Sequence, residues 1–167
     1  MMDLQRAIAR LLQEGSLRDE FSRNPSAAAA GLDLEPRDCA AFGRLVPEDV
    51  EFQARVLMRK RFHAVRALVP MTCENLGDAA WPRFVAYARN HSESVVARDA
   101  LAFCGAEATK VSALERQRLE FILASHRFAY HWLSKPCSLQ ILLRARGKIH
   151  ERIVSLLSPV KAKDESG

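Results

Sequence analysis

Apolar residues recur every three or four positions through the first 125 residues of this chain and close to every second position after Ser125. A helix returns to the same face after about 3.6 residues and a strand after two. This one switch therefore predicts a helical body followed by a small sheet. Leu4, Ile8, Leu11 and Leu12 make the first stripe, and Leu17 with Phe21 begins a second. Asn24 is placed to cap a helix that Pro25 opens and Gly31 closes, since an Asn side chain accepts from a free N–H and proline needs no donor in a first turn. Glu35-Pro36 opens another helix, expected to run through Leu45. Pro47 opens the longest, striped by Val50, Ala54, Leu57, Met58, Phe62, Val65 and Leu68, with Pro70 as its end. Thr72 is a candidate cap for Cys73–Asp78. Trp81, Phe84, Val85 and Ala88 mark the buried face of a helix reaching about Asn90, and Val95–Phe103 marks another, ending near Gly105. Ser112 and Glu115 have the S-x-x-E spacing of a capping box, which predicts a last helix from Ala113 to about Ala124.

Beyond Ser125 an aromatic-rich segment is broken at Lys135-Pro136, and two further runs flank Arg146-Gly147. Gly147 supplies the positive φ that a tight hairpin needs. Alternation sets Leu139, Ile141 and Leu143 on one face and Gln140, Leu142 and Arg144 on the other. The expected class is α+β: a helical domain over 1–125, an antiparallel sheet over 126–160 and a solvated tail over 161–167.

Charge follows the same division. Residues 1–125 balance 17 Lys and Arg against 17 Asp and Glu, whereas residues 126–167 carry 8 against 3, so the net charge of +5 belongs to the sheet segment. Such asymmetry favours an acidic partner, whether nucleic acid, peptide or protein. No apolar stretch is long enough for a membrane span, and the N-terminus lacks the cleavage pattern of a secretory signal, so a cytoplasmic chain without a membrane role is expected. Cys39, Cys73, Cys104 and Cys137 stand more than 30 residues apart, outside any zinc or redox spacing, and are expected to be buried thiols.

Catalytic apparatus is scarce. His63, His91, His126, His131 and His150 fall in four predicted elements, the pair His126 and His131 on opposite faces of one strand, and none joins a carboxylate in a metal-ligand spacing. Phosphate-cradling glycine loops and nucleophile elbows are also missing. Neither a metal site nor an independent enzyme is expected. Arg55, Arg59, Arg61 and Arg66 cluster on the longest helix, as a solvated face or as a surface for a partner's carboxylates or phosphates. The terminal sheet must leave an edge with unpaired N–H and C=O groups. Such an edge is either covered and guarded by charge, or it captures an extended peptide, for which Leu139, Ile141, Leu143, Arg144, Arg146, Arg152 and Val154 are the candidate contacts.

Several segments together resemble a known family. LLQEGSLRDEFSRNPSAAAAGLDLEP at 11–36, FQARVLMRKRFHAVRALVPMT at 52–72, DALAF at 99–103 and LERQRLEF at 114–121 are similar to the partner subunits of multinuclear non-haem iron enzymes that modify ribosomal peptides, such as those of methanobactin and 3-thiaglutamate biosynthesis. The resemblance implies a non-catalytic subunit whose terminal sheet binds the leader of a precursor peptide. It also implies a heterodimer with a TIM-barrel enzyme that holds all the iron, where the bound peptide's cysteine is oxidatively modified. A basic nucleic-acid-binding regulator is the alternative that the charge leaves open.

Overall fold

Proline sets the helix starts in the first half of the chain, because its fixed φ suits a first turn that has no use for its missing N–H. Helices α3 (Pro25–Ala30), α4 (Pro36–Phe42), α5 (Pro47–Leu68) and α6 (Pro70–Leu76) each begin on one. Asn24 caps α3 as expected, accepting from the Ala27 N–H at 3.0 Å. The other helices of this computed structural model are α1 (Leu4–Gln13), α2 (Gly15–Arg23), α7 (Ala80–Ala88), α8 (Val96–Glu107) and α9 (Lys110–Leu123), with a 3-10 turn over Gly77–Ala79. The structure describes residues 2–89, 91, 95–107, 110–124, 126–134 and 137–155. The expected tail, the helix end at Asn90 and the break at Lys135-Pro136 lie outside them.

Four expectations about the helices are corrected. The helix from Pro36 stops at Phe42, where Gly43 ends it, rather than at Leu45. Pro70 does end α5, but it opens α6 as well, so Thr72 is a buried residue inside a helix rather than a cap before one. Helix α8 ends at Glu107, two residues beyond the expected Gly105. Helix α9 begins at Lys110, ahead of the supposed capping box, and Glu115 serves a different helix. Its carboxylate accepts from the Met71 and Thr72 backbone N–H groups at 2.7 and 2.8 Å and from the Thr72 hydroxyl at 2.5 Å. A carboxylate there satisfies donors that the first turn of α6 cannot use internally and complements the helix dipole.

Two apolar clusters hold the helices, and α5 belongs to both. Near its start, Val50 packs with Ala7, Leu11, Phe21 and Phe42; within its last two turns, Phe62 and Val65 pack with Phe84, Phe103 and Leu119. Phe62 and Phe84 meet at 5.2 Å between ring centroids, and Phe84 meets Phe103 edge-on at 5.4 Å. Burial of each such ring stabilises by about 1.5–3 kcal/mol. Helix α2 comes close to the end of α7 at Gly15, where a Cβ would stand 3.2 Å from the Arg89 carbonyl oxygen. A side chain at this position would need the Arg89 backbone to yield by a few tenths of an ångström.

The sheet is antiparallel in the order β1 (Phe128–Ser134), β2 (Cys137–Ala145), β3 (Lys148–Ser155). Arg146 and Gly147 both have positive φ, 50° and 75°, which is the type I′ hairpin geometry matching strand twist. His126 precedes β1, so the expected pairing of His126 and His131 on one strand does not occur. Among the described residues no helix is long and apolar enough to cross a membrane.

Candidate functional site

Alternation along β2 is as the sequence predicts, and the packing of α9 decides which face turns inward. Ser138, Gln140 and Leu142 are buried on that face. The Gln140 amide donates to Glu151 of β3 at 2.7 Å. Arg144 reaches the C-terminal end of α9, donating to the Phe121 and Ile122 carbonyl oxygens at 2.9 and 3.0 Å, with its guanidinium 5.4 Å from the centre of the Phe121 ring. A cation there complements the negative end of the helix dipole. Of the residues expected to meet a peptide, Arg144 is therefore engaged in holding the sheet to the helical body.

The opposite face carries the apolar row. Cross-strand register gives Phe128, Leu143 and His150 in one line, Tyr130, Ile141 and Arg152 in the next, and Trp132, Leu139 and Val154 in the third. Phe128, Tyr130 and Trp132 are each more than half exposed, at 55%, 67% and 58%. An apolar and aromatic sheet face left open in this way is a mark of an interaction surface. Leu139, Ile141, Leu143, Arg152 and Val154 thus share one surface, with Arg146 exposed at its hairpin end. The three aromatic side chains of β1 were not among the expected contacts, although alternation within FAYHW is the signal that would have found them.

Both outer strands have a free edge among the described residues. A two-residue turn makes Ala145 and Lys148 a hydrogen-bonded pair, so Ile149, Glu151, Ile153 and Ser155 direct their backbone N–H and C=O groups away from β2. The 2.8 Å bond from Arg144 N to the Arg127 carbonyl fixes the same pattern on the other side, where Phe128, Tyr130 and Trp132 have outward backbone groups. Strand β3 is also exposed on both faces nearly throughout, despite carrying Ile153 and Val154. Its charges are mostly basic, with Lys148 and Arg152 exposed, while Glu151 is occupied by Gln140 and by Arg118 at 3.7 Å.

The arginines of α5 do not form one surface. Arg61 turns inward to Asp99, which is buried, in a two-point ion pair of 2.6 and 2.7 Å, and the Tyr87 hydroxyl donates to the same carboxylate at 3.0 Å. Arg55 and Arg59 border a cavity against α7, and Arg66 borders a separate depression beside α6. All four cysteines are free thiols, but only Cys73 and Cys104 are fully buried; Cys39 and Cys137 are partly exposed, a correction to the expected four buried thiols. Burial pushes the Cys104 thiol up to about 11 and raises that of Cys73 as well. Among the described residues no group of three or more His, Cys, Asp or Glu side chains converges as metal ligands would.

No curated protein and no solved structure matches the chain. A family model described as SCO6045-like, C-terminal domain, matches residues 45–109, the stretch that holds α5 through α8 and the Arg61–Asp99 pair but stops short of the sheet.

Proposed function

We propose that this chain is a non-catalytic recognition subunit that takes the leader of a ribosomal precursor peptide as a fourth strand along β3. In this reading it presents the peptide's cysteine to a TIM-barrel partner enzyme that holds the iron ions. One observation carries the reading: among the described residues β3 has an unpaired edge and is uncovered on both faces, beside an open apolar face. An exposed strand of this kind is a liability unless something pairs with it. Strand addition would draw affinity from the outward backbone groups of Ile149, Glu151 and Ile153. Arg146, Lys148 and Arg152 would select an acidic leader and speed its approach. Val154 of β3 would receive an apolar side chain of the peptide, backed by Leu139, Ile141 and Leu143 on the neighbouring strand. The partner's identity as an iron enzyme rests on the resemblance of the helical segments to the subunits that accompany such enzymes.

A second reading is favoured by the row of Phe128, Tyr130 and Trp132, since exposed aromatic side chains on a sheet can stack the bases of a single-stranded nucleic acid. Titration separates the two. A fluorescently labelled acidic leader from a cysteine-containing precursor should bind saturably, and Ile153→Pro should abolish binding while leaving helical circular dichroism intact. Residue 153 donates nothing to β2, so proline removes only the outward N–H. Tighter binding of an oligothymidylate than of the leader, unaffected by Ile153→Pro, would favour the nucleic-acid reading.

A further inference from the structure

Apart from the sheet, α2, α5 and α7 enclose a cavity of about 240 Å³ whose polar lining is dominated by guanidinium groups: Arg18, Arg55, Arg59 and Arg89, against a single carboxylate, Glu51. Trp81 forms part of its wall. The four arginines are not equivalent. Arg18, with its side chain only 6% exposed, is fixed at the base by the Leu11 and Leu12 carbonyl oxygens at 3.3 and 2.8 Å and lies 3.4 Å from Glu51. Arg89 is held by both oxygens of Asp19, at 2.7 and 2.8 Å. Arg55 and Arg59, one helical turn apart, form no ion pair among the described residues, and Arg59 lies 5.6 Å from the centre of the Trp81 ring.

We infer that this cavity is a binding site for a small ligand bearing a carboxylate or phosphate, held between Arg55 and Arg59 with its body against Trp81. Arg18 and Arg89 already have carboxylate partners, whereas Arg55 and Arg59 stand exposed at the cavity mouth, where an oxyanion would accept from two guanidinium forks. The absence of lysine from the lining favours planar, two-point recognition over attraction to a point charge. The volume suits an anion on a small organic body rather than a folded segment. This site is independent of peptide capture at β3, and its test does not involve the sheet.

Trp81 and Trp132 are the chain's two tryptophans, so Trp132→Phe leaves Trp81 as the reporter. At constant ionic strength, its fluorescence is titrated with inorganic phosphate, benzoate and adenosine monophosphate. A saturable change with half-saturation near or below about 1 mM is expected for at least one probe. Preference for benzoate assigns a carboxylate ligand, preference for the mononucleotide assigns a phosphate on a flat body, and equal response to phosphate assigns the free anion. Arg55→Gln with Arg59→Gln should weaken binding at least about tenfold, the doubly Lys-substituted chain should lie between, and Lys60→Gln on the same helix should change nothing. Absence of saturation with all three probes, or equal binding by the double Gln variant, overturns the inference.

Discussion

Replacing Glu115, a buried carboxylate one turn before Leu119 on α9, should damage the fold because the residue completes another helix. Its carboxylate satisfies the Thr72 N–H and hydroxyl, both buried, and the Met71 N–H, which belongs to an exposed residue. In Glu115→Ala the Met71 donor can turn to water, leaving the buried Thr72 N–H unsatisfied at about 1–3 kcal/mol and its hydroxyl with only the weak Cys104 Sγ contact at 3.7 Å at somewhat less, or about 2–5 kcal/mol in all. For a domain of this size that lowers the melting temperature by roughly 5–15 °C. Thr72→Val removes one of the bonds and should cost about 1–2 kcal/mol alone. Because the two residues share a contact, the doubly substituted chain should fall short of the sum by about 1–2 kcal/mol. Urea unfolding followed by helical circular dichroism measures all four corners of that cycle. A loss below about 1 kcal/mol for Glu115→Ala, or additivity between the two sites, would refute the assignment of Glu115 as the cap of α6.

Asp99→Asn should destabilise by about 3–5 kcal/mol, as breaking a buried ion pair leaves the Arg61 charge without its carboxylate; a thermal shift near zero would return Arg61 to the surface cluster. The Cys104 thiol, raised by burial to about 11 from its ordinary value of 9.0, stays neutral in the folded chain while the unfolded chain ionises first. Its contribution is therefore fully present below pH 9 and is lost as pH rises toward 11, about 2–3 kcal/mol in total. Urea midpoints between those limits should fall less steeply in Cys104→Ala, and equal slopes would contradict the shift.

Local signals were legible where the responsible residues adjoin one another. Asn24-Pro25, Pro47 and Arg146-Gly147 each act within a turn, and the structure places a helix start or hairpin at every one. Glu115 was misread because the S-x-x-E spacing describes a possible local partner, whereas its actual partners are 43 and 44 residues away. The α5 arginines show the same limit: helical spacing groups them, but a buried Asp99, 38 residues on from Arg61, withdraws one from the group. In the sheet, period two divided β2 correctly into faces. It could not say that the face with Gln140 and Arg144 would turn inward, because that choice follows from the Gln140–Glu151 bond and the carbonyls ending α9. The apolar face was consequently left outside, and with it the aromatic side chains of β1.

The direct test of leader capture is residue-resolved amide hydrogen exchange of the chain with and without an acidic leader peptide. Strand addition along β3 predicts new protection at the outward N–H groups of Ile149, Glu151 and Ile153 and little change at Phe128, Tyr130 and Trp132. Protection confined to β1, or no protection on either edge at saturating peptide, would contradict it.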